Sequence, residues 1–340
     1  MRTALTALLA FATGVLLMLL LSGHAPIRSV ATAPAVAGSS TDNTSDNVAN
    51  ASSTGDDASD DWPNQGPTPE QVVYAQPQRV RDALAHLSPR VAGKPNLYLL
   101  AFAGDGGEDV FRNEAEYAAQ LFTQRFGPAT HALVLENNPG TLQSHPLADW
   151  SNLDDSLDGL AKVMKPEDIL MLYLTSHGDE SHDLLVDMDP LPLDQIGAVD
   201  LADIFKKHPF KWKVVVVNAC YSGGFVPGLR GPNTLVLTAA RSDRSSFGCG
   251  SDSDITYFGH AWLVDALNRT PDFIEAFKQA SNEISQWEQQ DKLIPSVPQI
   301  DIGDGIAGQL ALWQMGFTPG PALAFKPAVP ASARSTASPQ

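Results

Sequence analysis

Cysteine is scarce: the 340-residue chain has two, Cys220 and Cys249. That rules out a disulfide framework, so the fold must be held by its own core. The only pairing available is between those two thiols. Cations are scarce as well, 22 Lys and Arg against 39 Asp and Glu, for a formal net charge of −17. So acidic a chain lacks the basic surface that general phosphate contact needs, which argues against nucleic acid as a partner. No internal repeat is visible, which argues against a solenoid. Charge is missing between Arg2 and Arg28, and large apolar residues are nearly missing from Arg28 to Pro67.

Those last two gaps set the domain plan. Ala4 to Leu21 is an almost unbroken apolar run. It is long enough to span a bilayer as a helix, and it also fits the apolar core of a secretory signal. Gly23-His24-Ala25 has the small-x-small form of a cleavage site, but Pro26 is a poor neighbour for cleavage. Residues 1–25 are therefore expected to be a signal anchor or signal peptide. The rest would be exported, membrane-anchored with its domain outside the cytoplasm (periplasmic or extracellular). Residues 26–67 read as a disordered linker, because Gly38 to Asp61 cannot bury enough surface to fold. The Pro-, Ala- and Ser-rich residues 319–340 read as a disordered tail. One domain, 68–318, lies between.

Within it, Thr68-Pro69-Glu70 opens a helix with a Thr cap and Pro in the first turn, and Pro77 is expected to interrupt or kink it. Short apolar runs then alternate with segments of helical spacing. Leu97–Ala103, Thr130–Leu135, Ile169–Thr175, Val214–Val217 and Thr234–Thr238 read as strands. Glu114–Phe126, Leu153–Met164, Leu201–Lys207, Tyr257–Leu267 and Phe273–Trp287 read as helices. Strands apolar on both faces and separated by helices imply an α/β fold: a mainly parallel sheet with helices on both faces.

In such sheets functional residues gather beyond the carboxyl ends of the strands. Two ends carry chemistry. The third strand runs into Thr175-Ser176-His177-Gly178, and the fourth into Asn218-Ala219-Cys220-Tyr221-Ser222-Gly223-Gly224. Parallel strands about 4.8 Å apart would put His177 and Cys220 across one cleft. A thiolate is the nucleophile, and an imidazole can take or stabilise the thiol proton. The glycines would let backbone approach a substrate. The N–H groups of Gly178 and Cys220 would then stabilise an oxyanion.

These two segments resemble the catalytic blocks of the legumain family of cysteine peptidases, which includes asparaginyl endopeptidases and the catalytic subunit of the GPI transamidase. Two further blocks are similar to that family: Phe102-Ala103-Gly104-Asp105-Gly106-Gly107 to Arg112, and Thr238-Ala239-Ala240 to Ser245-Ser246-Phe247-Gly248-Cys249. The last is most like bacterial members, which argues against the transamidase role. The resemblance spans about Asn96 to Leu310. It implies a caspase-like three-layer sandwich and a cysteine-type endopeptidase acting on peptide or protein substrates without a cofactor. It implies a His177–Cys220 dyad and an oxyanion hole that includes Gly178. It places Arg112, Asn218, Ser245 and Ser246 at substrate-binding positions.

Several positions depart from the family pattern. The acid two residues before the nucleophile is Asn218, a second pocket acid falls at about His260, and an Asn proposed to orient the His falls at Val110. Asparagine specificity and a third catalytic member therefore do not carry over. With Arg112 less neutralised, an acidic or polar side chain before the scissile bond is the expectation. His177, Asp179, Glu180 and His182 do not have the spacing of a helical zinc pair, so no metal is expected. Cys249 reads as a buried thiol of the pocket loop that oxidation could join to Cys220. The alternative to an enzyme is a catalytically silent, membrane-tethered peptide-binding module on the same fold.

Overall fold

The computed structural model describes residues 62–63 and 66–328. The expected anchor and most of the linker lie outside these residues. Among the described residues no helix is long and apolar enough to cross a membrane.

The chain begins with α1 (Pro69–Ala85), capped as its sequence suggests: Thr68 and Gln71 exchange side-chain and backbone hydrogen bonds. Pro77 does not interrupt it. The carbonyl deprived of its donor belongs to Val73, which is 47% exposed, so water can replace the lost bond. Then follow β1 (Leu97–Ala103), α2 (Asp109–Arg125), β2 (Thr130–Glu136), α3 (Trp150–Val163), β3 (Ile169–Thr175), the short β4 (Asp183–Leu184) and β5 (Ile196–Gly197), and α4 (Ala198–Lys207). β6 (Trp212–Asn218) leads through a 3-10 turn (Ser222–Phe225) and α5 (Val226–Leu229) to β7 (Thr234–Thr238). The chain continues through α6 (Tyr257–Gly259), a π-helical stretch (His260–Ala266) and α7 (Leu267–Arg269). It closes with α8 (Phe273–Gln290), β8 (Gln299–Ile302) and α9 (Ile306–Gln314).

Six strands form one sheet in the order β2-β1-β3-β6-β7-β8, all parallel except β8. β1, β3 and β7 are buried at every position, as continuous apolar runs require when both sheet faces are covered. Odd-numbered β1 residues such as Leu97 and Leu99 pack with α2, α8 and α9 on one face. Even-numbered ones such as Tyr98 and Leu100 pack with α3 and α4 on the other. This is the mixed α/β, three-layer arrangement of a caspase-like fold.

Two elements were not legible in advance. β8 is short and half-exposed, so it carries no apolar run. The second departure is at the C-terminal end. Expected to be tail, it lies against the domain at least to Ala328. The Tyr117 hydroxyl donates to Leu323 O (2.8 Å), Leu323 and Phe325 pack on the core, and Ala328 N–H donates to Asn113 Oδ1 (3.0 Å). Polar composition hides such a segment, because its binding is carried by two apolar side chains and main-chain groups.

Candidate active site

Three consecutive strands carry the site. Ala103 of β1 is in register with Thr175 of β3, and Thr175 with Asn218 of β6. Two residues beyond each stand Asp105, His177 and Cys220. The sheet therefore brings His177 and Cys220 to one edge, on adjacent strands. Main-chain contact is close: a Cβ on Gly178 would fall 2.4 Å from the Cys220 carbonyl oxygen. Only glycine permits that approach.

The imidazole of His177 is 37% exposed and held on two sides. Its Nε2 lies 3.6 Å from Asp105 Oδ2. Its ring meets Phe111 of α2 edge-on at 5.1 Å. Asp105 itself is 5% exposed, and its Oδ1 accepts a 2.8 Å hydrogen bond from Gly107 N–H. Asp105 is not conspicuous in the sequence. The signal was there, an acid just past an apolar run, but its value depended on β1 lying next to β3.

The Cys220 sulfur is held by the loop after β7. Ser246 N–H donates to it at 3.3 Å and Ser246 Oγ lies 3.6 Å away. The Cys249 thiol also donates to it, and this is the largest influence holding the Cys220 pKa down to about 5, opposed by burial and supported by Ser246 and Ser245. Cys249 moves the opposite way: donation to the Cys220 sulfur, then burial, push its thiol up. Both cysteines are free thiols. Among the described residues the sulfur's hydrogen-bond partners come from this loop, and His177 is not one of them. Ser245 and Ser246 are therefore brought to the sulfur. The residue after Cys220, Tyr221, takes a left-handed conformation (φ 55°) and donates its N–H to Arg244 O (2.7 Å), tying the two loops together.

The N–H groups of Gly178 and Cys220 have no backbone acceptor among the described residues. Gly223 and Gly224 serve the fold instead. Added Cβ atoms there would meet Ser242 N at 2.5 Å and the His182 ring at 2.1 Å.

Asn218 and Arg112 are placed elsewhere than the resemblance implied. Asn218 is 1% exposed and cannot touch substrate. Its Nδ2 donates to Glu114 Oε1 (2.5 Å) and Thr256 Oγ1 (2.8 Å). Glu114 is fully buried and also accepts from Tyr173 Oη (2.8 Å) and Thr256 Oγ1 (2.6 Å). Burial raises its pKa, with Thr256, Thr175, Tyr173 and Asn218 pulling the other way. A carboxyl group is thus present beneath β6, but it comes from α2 and braces α2, β3, β6 and α6. Arg112 pairs with Glu116 (3.0 Å) and donates to Asn138 Oδ1 (3.1 Å), beside the loop after β2, three strand steps from β6. It is neutralised there and not brought to the sulfur, so the premise for an acidic preference is lost. His260 stacks on Trp287 (5.4 Å) and faces Asp265. Among the described residues no three His, Cys, Asp or Glu groups gather as a metal site would need.

Residues 152–309 match the Peptidase C13 family, the legumain and GPI-transamidase group. This segment belongs to the peptidase C13 family. It contains His177, Gly178, Asn218, Cys220, Ser245 and Ser246, whereas Asp105, Arg112 and Glu114 precede it. Membership makes a cysteine-peptidase-type hydrolase acting on protein the general expectation. No curated protein matches the chain.

Proposed function

We propose that this peptidase C13 protein is a cysteine-type endopeptidase that cleaves peptide bonds through a thioester at Cys220. The observation that carries the reading is the register: His177 and Cys220 each stand two residues past one aligned pair of adjacent parallel strands. The Cys220 thiol gives its proton to His177, and the resulting thiolate, stabilised by the Ser245–Cys249 loop, attacks the carbonyl carbon. The oxyanion is received by the N–H groups of Gly178 and Cys220. His177 delivers a proton to the leaving amine, then takes one from the water that hydrolyses the thioester.

A peptidyl acyloxymethyl ketone, which places an electrophilic carbonyl before the thiol, tests this. It should label Cys220 and no other residue, and Cys220→Ala should abolish both labelling and casein cleavage. Retained casein cleavage would remove Cys220 from the chemistry.

One observation favours a second reading, the catalytically silent peptide-binding module: the sulfur's partners lie in the pocket loop rather than at His177. Peptide binding with no labelling would select it. We also propose that the Ala4–Leu21 run tethers or exports the chain, with the domain outside the cytoplasm. Fractionation of cells expressing the full chain, with protease access from outside, tests that placement.

A further inference from the structure

We propose that Asp105 is the positioning residue of an Asp105–His177–Cys220 triad, acting on substrate only through the imidazole. This rests on the cysteine-peptidase reading above. The three residues occupy equivalent places, two past Ala103, Thr175 and Asn218, on β1, β3 and β6, which lie side by side. The carboxylate, the ring and the sulfur therefore follow one another along the sheet edge in strand order.

The carboxylate is fixed before the imidazole is considered. Gly107 N–H holds Oδ1, and the loop around it is clamped by Gly106 N–H to Asp187 O and Asp187 N–H to Gly104 O, both 2.9 Å. The ring packs edge-on against Phe111, and its main chain is held by Leu185 N–H donating to the His177 carbonyl (3.0 Å). With Nε2 turned to Asp105, the nitrogen left for the sulfur side is Nδ1. A carboxylate beside Nε2 keeps the proton there and leaves the Nδ1 lone pair free to accept one. When the substrate amine leaves, the proton it receives comes from Nδ1. Asp105 stays ionised throughout and offsets the positive ring between the two transfers.

The 3.6 Å separation is longer than a hydrogen bond. Such contacts in empty sites commonly tighten when substrate is bound. The family's Asn position offers no substitute, because Val110 is 1% exposed and part of the core. Other ionisable groups of the neighbouring segments are Asp187, whose main chain bridges Asp105, Asp189, which bears on Asp187, Asp179, Glu180 and His182 of the ring's own loop, and Cys220 just past β6. Glu108, at the start of α2, bears on Cys249. Of these, the carboxylate paired with the ring is that of Asp105.

The test uses the full chain, Asp105→Asn and Asp105→Glu. NMR of the His177 ring reports which of its nitrogens carries the proton, and the rate of Cys220 labelling by the acyloxymethyl ketone is recorded from pH 4 to 9. Removing the facing carboxylate should lower the share of the ring proton held at Nε2. Labelling near pH 6.5 should slow about 10- to 100-fold, and Asp105→Glu should recover part of both. The loss should vanish in a His177→Ala background. An unchanged proton placement in folded Asp105→Asn overturns the assignment, as does an equal loss with His177 already gone. If His177→Ala labels at the wild-type rate, the dyad itself falls, and that result is distinct from a failure of Asp105 alone.

Discussion

Replacing Gly178 by alanine should damage catalysis as well as stability, and the structure sets the scale of each. The added Cβ would sit 2.4 Å from the Cys220 carbonyl oxygen and 3.1 Å from the Ala219 Cβ. Contacts under 3.0 Å are essentially never formed, so the ends of β3 and β6 must separate by at least 0.6 Å. That movement opens the gap between His177 and Cys220 and shifts both N–H groups proposed to receive the oxyanion. Misplacement of about 1 Å costs about 100-fold, so a loss of about 10- to 100-fold is expected, or about 1.4–2.7 kcal/mol of transition-state stabilisation. The accompanying overpacking should cost about 1–3 kcal/mol of stability. Two probes separate the effects. A peptidyl acyloxymethyl ketone needs the oxyanion donors and His177, and should slow by the full factor. Iodoacetamide needs only the thiolate, which the Ser245–Cys249 loop maintains, and should slow less than threefold. Equal slowing of both reagents, or of neither, with the fold intact by circular dichroism, would refute this geometry.

The remaining expectations concern charge and packing. The iodoacetamide rate at Cys220 should already be on its plateau by pH 7, with a midpoint near 5 instead of the usual thiol range, and Cys249→Ala should move that midpoint upward by removing the largest donor. Glu114→Ala should cost about 3–5 kcal/mol in urea unfolding, because Tyr173, Asn218 and Thr256 lose a common buried acceptor; a cost under about 1 kcal/mol would show that the network is dispensable. Glu136 is pushed up to about 8 by burial and then by Glu116, so the folded state keeps a proton that the unfolded chain releases above about pH 4.3. Its contribution to stability therefore falls as pH rises from about 4.3 to about 8, by a few kcal/mol. Glu136→Gln should accordingly raise Tm relative to wild type at pH 8, with the gain disappearing at pH 4, and an equal gain at both pH values would contradict it.

Much of the site was legible in sequence because its chemistry is local. His177 and Cys220 each follow an apolar run and precede glycine, and Ser245 and Ser246 lie in the loop that closes on the sulfur. Arg112 and Asn218 were legible only as positions. Where a side chain goes depends on neighbours that no local pattern specifies: Glu116 and Asn138 take the guanidinium, and Glu114 and Thr256 take the amide. Glu114 looks like any polar residue of an amphipathic helix until the buried ends of β3 and β6 close over it.

By itself, then, the sequence determined the strands, since continuous apolar runs have to be covered on both faces, and it determined which strand ends bear a sulfur and an imidazole. The tertiary structure decided adjacency. Strand order depends on how strands and crossover helices pack together, which no local pattern specifies. Only the order β1-β3-β6 sets Asp105 beside His177, and only the return of the loop after β7 puts Ser246 and Cys249 against the Cys220 sulfur.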